Sequence, residues 1–301
     1  MSITMYYGRA GSGKTRAVYE RIKQVISECP GEPIILLVPE PATYRVEREL
    51  AECMPHKGFT TVRVVGFGRL AYQVYQSIGN ADMHERSISK LGRSMLLRLV
   101  MKRNVNELGL LSQAAKRPEF SSVLQNLFSE FKSFRIGPQD LESGAQKVSN
   151  EVLRKKLREL AICMTAYDEE LEKHSQIDDD PIMALVESLP QSPLMKNSHV
   201  FVDGFHWFTP VHFELLYMMF DLAKESVITV DLPDDPKRLL QKKHSHTLFA
   251  RSIEIFDNLD ATYGEKLSFQ ACEGHRGTDV LQSLEQHLFH PRLFWRFVLL
   301  P

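Results

Sequence analysis

Gly8, Gly13, Lys14 and Thr15 stand at the spacing G-x-x-x-x-G-K-T within GRAGSGKT, residues 8–15. Each residue type has a part in holding phosphate. Glycines let the backbone turn tightly and present N–H groups inward as a nest for anionic oxygens, so Gly8, Arg9, Ala10, Gly11, Ser12 and Gly13 read as a cradle. Lys14 supplies a full charge for the β- and γ-phosphates, and Thr15 offers a hydroxyl to Mg2+. A helix starting here adds its partial positive N-terminus. By composition alone the pattern arises in about 1% of chains of this length, so its setting has to separate it from a plain glycine turn.

A phosphate loop needs a carboxylate partner that holds Mg2+, usually an Asp closing a neighbouring buried strand. Asp203 closes HVFVD and Asp231 closes VITVD. Asp203 is the preferred metal contact and Asp231 the second candidate; the plain alternative for each is a strand-end turn residue. Efficient ATPases often follow this Asp with a Glu that orients the attacking water. Here Gly204 follows Asp203 and Leu232 follows Asp231, so no catalytic base is assigned. The binding half of the site is strong and the hydrolysing half incomplete.

Strand, glycine loop and helix is the setting the motif requires, and the flanks supply it. ITMYY reads as a strand, and TRAVYERIKQVISE places Ala17, Val18, Ile22, Val25 and Ile26 on one helical stripe. PIILLVP and TTVRVVGF read as further buried strands, each followed by an amphipathic helix. Such alternation predicts a parallel sheet covered on both faces. Residues 80–195 contain no convincing strand. FSSVLQNLFSEFKSF sets Phe120, Val123, Leu124, Leu127, Phe128, Phe131 and Phe134 at helical spacing. LRKKLRELAICMTAYDEELEK does the same with Leu153, Leu157, Leu160, Met164, Tyr167 and Leu171. These stripes read as core. Strands resume with HVFVDGF and SVITVDL. A helix opening near Pro210, a helix ending at Gly264, and a strand, turn and helix follow. The expected organisation is an α/β core from 1–79 and 196–272 with five parallel strands, a helical insertion at 80–195, and a terminal segment at 273–301. That segment ends on the apolar HPRLFWRFVLLP and is expected to belong to a longer protein.

The 301 residues are 43% hydrophobic and 25% charged, an ordinary globular composition. A net charge of −1 provides no global attraction to nucleic acid or membrane. No apolar run is long enough to span a bilayer. The four cysteines form no C-x-x-C pair, so neither a disulfide nor a metal framework is expected, and the cytoplasm is the natural compartment. The eleven histidines show no H-x-x-x-H spacing, and His244 and His246 read as a solvated turn. The carboxylates of DDDP, 178–181, read as a loop or helix cap. Two short basic patches, RKKLRE with Arg154, Lys155 and Lys156, and KRLLQKK with Lys242 and Lys243, are candidates for contacts to a DNA backbone.

Taken in order, YYGRAGSGKT, IILLVPEPATYRVERELA, VRVVGFGRLAYQV and HVFVDGFHWFTPVHFELL resemble the N-terminal region of the AddB family. Its members are the B-type subunits of AddAB helicase–exonucleases of the kind found in Gram-positive bacteria. The resemblance covers most of residues 1–260 and is most specific at VDGF with FTP. It implies a P-loop NTPase core like that of superfamily 1 helicases, interrupted by a large all-α subdomain. It also implies ATP and Mg2+ as ligands, and an AddA-like subunit and DNA as partners, in processing broken DNA ends for recombination with pausing at Chi sequences. Gly8 to Thr15 then match motif I, 36–43 motif Ia, VVGFGRL motif Ib and Asp203 motif II, with VDLPDDP near motif III. The departures are the missing motif II Glu and the lack of an upstream glutamine to read adenine. Family members continue into a second helicase-like half and a nuclease domain with an iron–sulfur cluster. That cluster is expected only in the missing C-terminal part, and the scattered cysteines here are not its ligands. Two other classes remain open. One is a small-molecule P-loop kinase, with Arg86, Arg93 and Arg98 as lid arginines, against which the length of the insert argues. The other is a non-catalytic scaffold that nucleotide merely stabilises.

Overall fold

The computed structural model describes residues 2–55, 57–79, 88–174, 181–232 and 249–274. Along them run β1 Ser2–Gly8, α1 Lys14–Glu28, β2 Ile34–Leu37, α2 Thr43–Cys53, β3 Val62–Val65, α3 Phe67–Ser77, α4 Lys90–Arg103, α5 Phe120–Ser133, α6 Pro138–Lys147, α7 Glu151–Lys173, α8 Pro181–Ser188, β4 His199–Val202, α9 Pro210–Leu222, β5 Glu225–Asp231, α10 Ala250–Tyr263 and β6 Leu267–Ala271. The chain divides into two compact units. The first draws on the described parts of residues 1–65, 197–207 and 223–301, the second on those of 66–196 and 208–222.

The first unit is built on a six-stranded sheet in the order β3-β2-β4-β5-β1-β6. Every neighbouring pair is parallel. The interior strands β2 and β4 are buried at all four positions, as strands covered on both faces must be. Successive side chains point to opposite faces. Ile34, Leu36, Val62, Val64, Phe201 and Val227 accordingly join Val18, Ile22 and Val25 of α1 and Val46 and Leu50 of α2 in one core. Near the sheet's other edge α10 buries Ile255, Phe256 and Leu259, and the Phe256 ring lies 5.6 Å from that of Phe269 on β6. β6 is one strand more than the five expected. It pairs with β1 from Ile3↔Leu267 to Tyr7↔Ala271, so the strand carrying the glycine loop is flanked on both sides. The helix before it ends at Gly264, whose φ of 49° lies in the left-handed region, as its sequence position predicts.

The second unit is helical, and no strand occurs among its described residues. Its main core gathers Leu97 and Met101 of α4, Leu124 and Phe128 of α5, Leu141 of α6, and Leu160, Met164, Tyr167 and Leu171 of α7. The expected stripes are narrower in fact. Val123 is 56% exposed, and Phe134 and Leu153 are also exposed, because a helix in a small bundle buries only the i, i+4 seam facing its neighbours. The buried carboxylate of Glu159 accepts the backbone N–H groups of Leu110 at 2.9 Å and Leu111 at 2.8 Å, fixing the loop after α4. No helix among the described residues is long and apolar enough to cross a membrane.

At the start of α9, His212 is both packed and hydrogen-bonded. Its ring centroid lies 4.4 Å from that of Phe67, and Nδ1 accepts the Thr209 N–H at 3.3 Å. Burial pushes its pKa from 6.5 down to about 4. The folded-state value is depressed, so the neutral ring contributes stability that is present above about pH 6.5 and is lost as pH falls towards 4. Chemical denaturation across that window should show an acid loss of up to roughly 3 kcal/mol. In His212→Gln that pH-dependent component should vanish.

Candidate phosphate-binding site

The register of the sheet decides which side chains meet. β1 and β5 pair from Ser2↔Glu225 to Gly8↔Asp231, so Asp231 is set directly opposite the first glycine of the loop. β5 in turn pairs with β4, which delivers Asp203 one strand further along the same edge. These are the carboxyl ends of parallel strands, the edge at which open α/β sheets hold ligands.

The loop between β1 and α1 is made possible by its glycines. At Gly8 a β-carbon would fall 2.4 Å from Ser12 Oγ and 2.6 Å from the Cys272 carbonyl, so no side chain fits. Gly11 and Gly13 have φ of 79° and 91°, which glycine adopts without strain. Gly13 is the N-cap of α1, no side chain caps the helix, and no acidic residue lies in its first turn. The first-turn amides of α1, which have no partner within a helix, and its positive dipole end are therefore left for an anion. Lys14, the first residue of α1, is only 8% exposed. Its ammonium folds back over the loop, donating to the carbonyls of Gly8 at 2.8 Å and Arg9 at 2.7 Å. It also forms an ion pair with Asp231 at 2.7 Å.

Asp203 follows β4 and is 5% exposed. Its Oδ1 accepts the Thr229 hydroxyl at 2.6 Å, and its N–H donates to the Leu37 carbonyl at 3.0 Å. Gly204 turns the chain with φ of 78°, in the left-handed region. A Glu here would be strained. Asp231 Oδ2 lies 3.3 Å from Nδ1 of the exposed His206. On the far wall the Tyr19 hydroxyl donates to Glu49 at 3.3 Å. Burial, with the charges of Glu49 and Asp203, pushes the Tyr19 phenol well above its ordinary range, so it stays a neutral donor.

Gly13, Lys14, Thr15, Tyr19, Asp203, Thr229 and Asp231 line one open cleft of about 810 Å³. Its size suits a nucleotide-sized ligand. The hydroxyl of Thr15 and the carboxylates of Asp203 and Asp231 are hard oxygen donors of the kind Mg2+ takes. The structure thus brings the loop and both candidate aspartates to one cleft, and gives the direct contact with Lys14 to Asp231, the second candidate. Sequence reasoning does not single out Thr229, Tyr19 or His206. Thr229 has a signal: it lies two residues before Asp231 on β5 and so shares its face.

The remaining sequence candidates fall elsewhere. Arg154, on α7, donates to the Val148 carbonyl at 2.9 Å and so ties down the end of α6. Lys155 lies 3.8 Å from Glu151, and Lys156 is exposed. Arg93 and Arg98 lie on α4 in the helical unit. Arg86, the carboxylates at 178–180, Lys242, Lys243, His244, His246 and the segment 275–301 lie outside the described residues.

Comparison with known proteins gives the family. The family model described as ADDB, N-terminal matches residues 5–280. The chain is 34% identical over 263 residues to a protein of Desulforamulus reducens, covering 86% of this chain and 22% of the relative. It is 35% identical over 264 residues to one of Pelotomaculum thermopropionicum, with the same two shares. It is 32% identical over 299 residues to one of Clostridium botulinum strain Loch Maree, covering 96% and 26%. All three relatives are named as the B-type subunit of an ATP-dependent helicase/deoxyribonuclease. The chain therefore spans about a quarter of the length of these relatives, and it belongs to the AddB N-terminal family.

Proposed function

We propose that this chain is the nucleotide-binding, helicase-like N-terminal part of an ATP-dependent helicase/deoxyribonuclease subunit, with a P-loop NTPase core. In this reading the whole protein works with an AddA-like subunit on broken DNA ends for recombination. One observation carries the nucleotide assignment: a buried lysine at the mouth of an uncapped helix, beneath a glycine loop and beside two aspartates at the carboxyl edge of a parallel sheet. The family and the relatives' names support the helicase and nuclease context.

When nucleotide binds, Lys14 exchanges Asp231 and the loop carbonyls for β- and γ-phosphate oxygens. Thr15 and Asp203 would hold the Mg2+ that neutralises phosphate charge, with Thr229 keeping the Asp203 carboxylate in place. Hydrolysis is weak or absent, because the turn at Gly204 provides no carboxylate to orient water. ATP at a hundred times its dissociation constant should stabilise the fold by about 2.7 kcal/mol. That corresponds to a melting shift of roughly 5–10 °C. Lys14→Ala should abolish the shift, as thermal melting with and without Mg-ATP will show. Turnover above about 1 s⁻¹, lost in the same variant, would show a working ATPase instead. Stabilisation without turnover, with or without DNA, fits the proposed weak hydrolysis.

DNA contact by this part alone is expected to be weak. Net charge is −1, and of the basic run on α7 Arg154 is already committed to Val148. With only a few phosphates engaged, affinity should be micromolar or weaker at physiological salt. Titrations with single-stranded and duplex DNA at several salt concentrations should give a slope of only a few units. Nanomolar binding, or a slope near ten, would mean a complete DNA site.

A further inference from the structure

At the opposite end of the sheet, where β4 and β5 begin, lies a second cluster that the cleft does not use. Cys29 closes α1, Glu32 follows three residues later, and His199 is the first residue of β4. Their ligand atoms all lie within 4.8 Å of one another. We propose that Cys29, Glu32 and His199 form a binding site for one divalent ion of the zinc class.

The donor set is one thiolate sulfur, one imidazole nitrogen and one carboxylate oxygen, a mixture that suits zinc. His199 is 5% exposed, and its two nitrogens have different surroundings. Nε2 faces Glu32 Oε2 at 2.8 Å, while Nδ1 faces Glu225 Oε2 at 3.2 Å. The strand register His199↔Glu225 sets this second contact. Arg21 grips Glu225 through both oxygens, at 2.8 Å and 2.9 Å. Each ring nitrogen thus faces a carboxylate; an ion entering between Nε2 and Glu32 would take the place of a proton on Nε2, with Nδ1–H kept on Glu225. This is the carboxylate–histidine–metal arrangement, in which an outer carboxylate fixes the tautomer and orientation of a ligating ring.

Glu32 keeps one oxygen for a cation. Lys224 occupies Glu32 Oε1, leaving Oε2 to the site. The negative end of the α1 dipole arrives at Cys29, and no basic residue in the last turn of α1 answers it. Oxygen and nitrogen ligands of a tetrahedral zinc stand about 3.3 Å apart, so Glu32 and His199 need to open by about half an ångström, and Cys29, within 4.8 Å of both, to close by up to about an ångström. Three protein ligands leave the fourth position to water. Occupancy would clamp the end of α1 to the start of β4, and so brace the helix whose other end carries Lys14.

The test is a cobalt titration of the metal-stripped 301-residue chain, followed by displacement with zinc. The site predicts one equivalent, tetrahedral visible bands and a thiolate-to-cobalt charge-transfer band in the near ultraviolet. Cys29→Ser should remove that band and weaken zinc binding by about tenfold or more, and Glu225→Gln should weaken it by about 10–100-fold. Cys53→Ser should change nothing. A thiolate-free, octahedral cobalt spectrum in the unaltered chain overturns the site, as does a charge-transfer band that survives Cys29→Ser.

Discussion

The Lys14 ammonium is the constraint on which the first unit depends. It is nearly buried, and a buried charge costs several kcal/mol unless it is paired and hydrogen-bonded. The fold meets that demand with two loop carbonyls and Asp231. Each partner has its own structural requirement. The loop that offers the Gly8 and Arg9 carbonyls packs so closely that a β-carbon at position 8 would strike Ser12 and the Cys272 carbonyl. Asp231 arrives only because β5 runs parallel to β1 in the register that sets it opposite Gly8. A slip of one residue along β5 would send its side chain to the other face. The groups that hold the lysine thus require the same sheet register that opens the cleft.

Much of this is legible in the sequence. The continuous apolar runs of β2 and β4 announce buried parallel strands, and the glycine spacing announces the loop. The position of Asp203 and Asp231 after such runs announces the acidic edge. Lateral order is not legible. Nothing in VITVD says that its strand lies beside β1 while HVFVD lies one strand further away. Sequence alone accordingly favours Asp203 over Asp231, although Asp231 is the residue that touches Lys14. β6 reads as a strand but not as part of the core, because this edge strand buries only Leu267 fully and lacks the apolar run of its neighbours. On α5 and α7 the hydrophobic period is right, but it does not say which flank of each stripe meets a neighbour. Helical spacing fixes a face only to within about one residue.

The two ends of α1 carry opposite dipole charge, and the sequence around each answers accordingly. The N-terminal turn has no acid and leaves its amides to the cleft; the C-terminal turn has no base and meets a cysteine, a glutamate and a histidine from 167 positions further on. No local spacing announces that second group, since β4 supplies its histidine only after the whole helical unit has intervened. Gly204 makes the complementary point. One glycine at positive φ reads in the sequence as a missing base, and in the structure as a turn that would strain any base placed there.

If the Lys14 loop and Asp203 serve one Mg-nucleotide, the ion and the aspartate must act on affinity together. The most direct test is the affinity for ATP measured with and without Mg2+, in the unaltered chain and in Asp203→Asn. Binding strengthened by Mg2+, with that advantage lost in the variant, is the predicted result. Equal affinity with and without the ion, unaltered in Asp203→Asn, would contradict it.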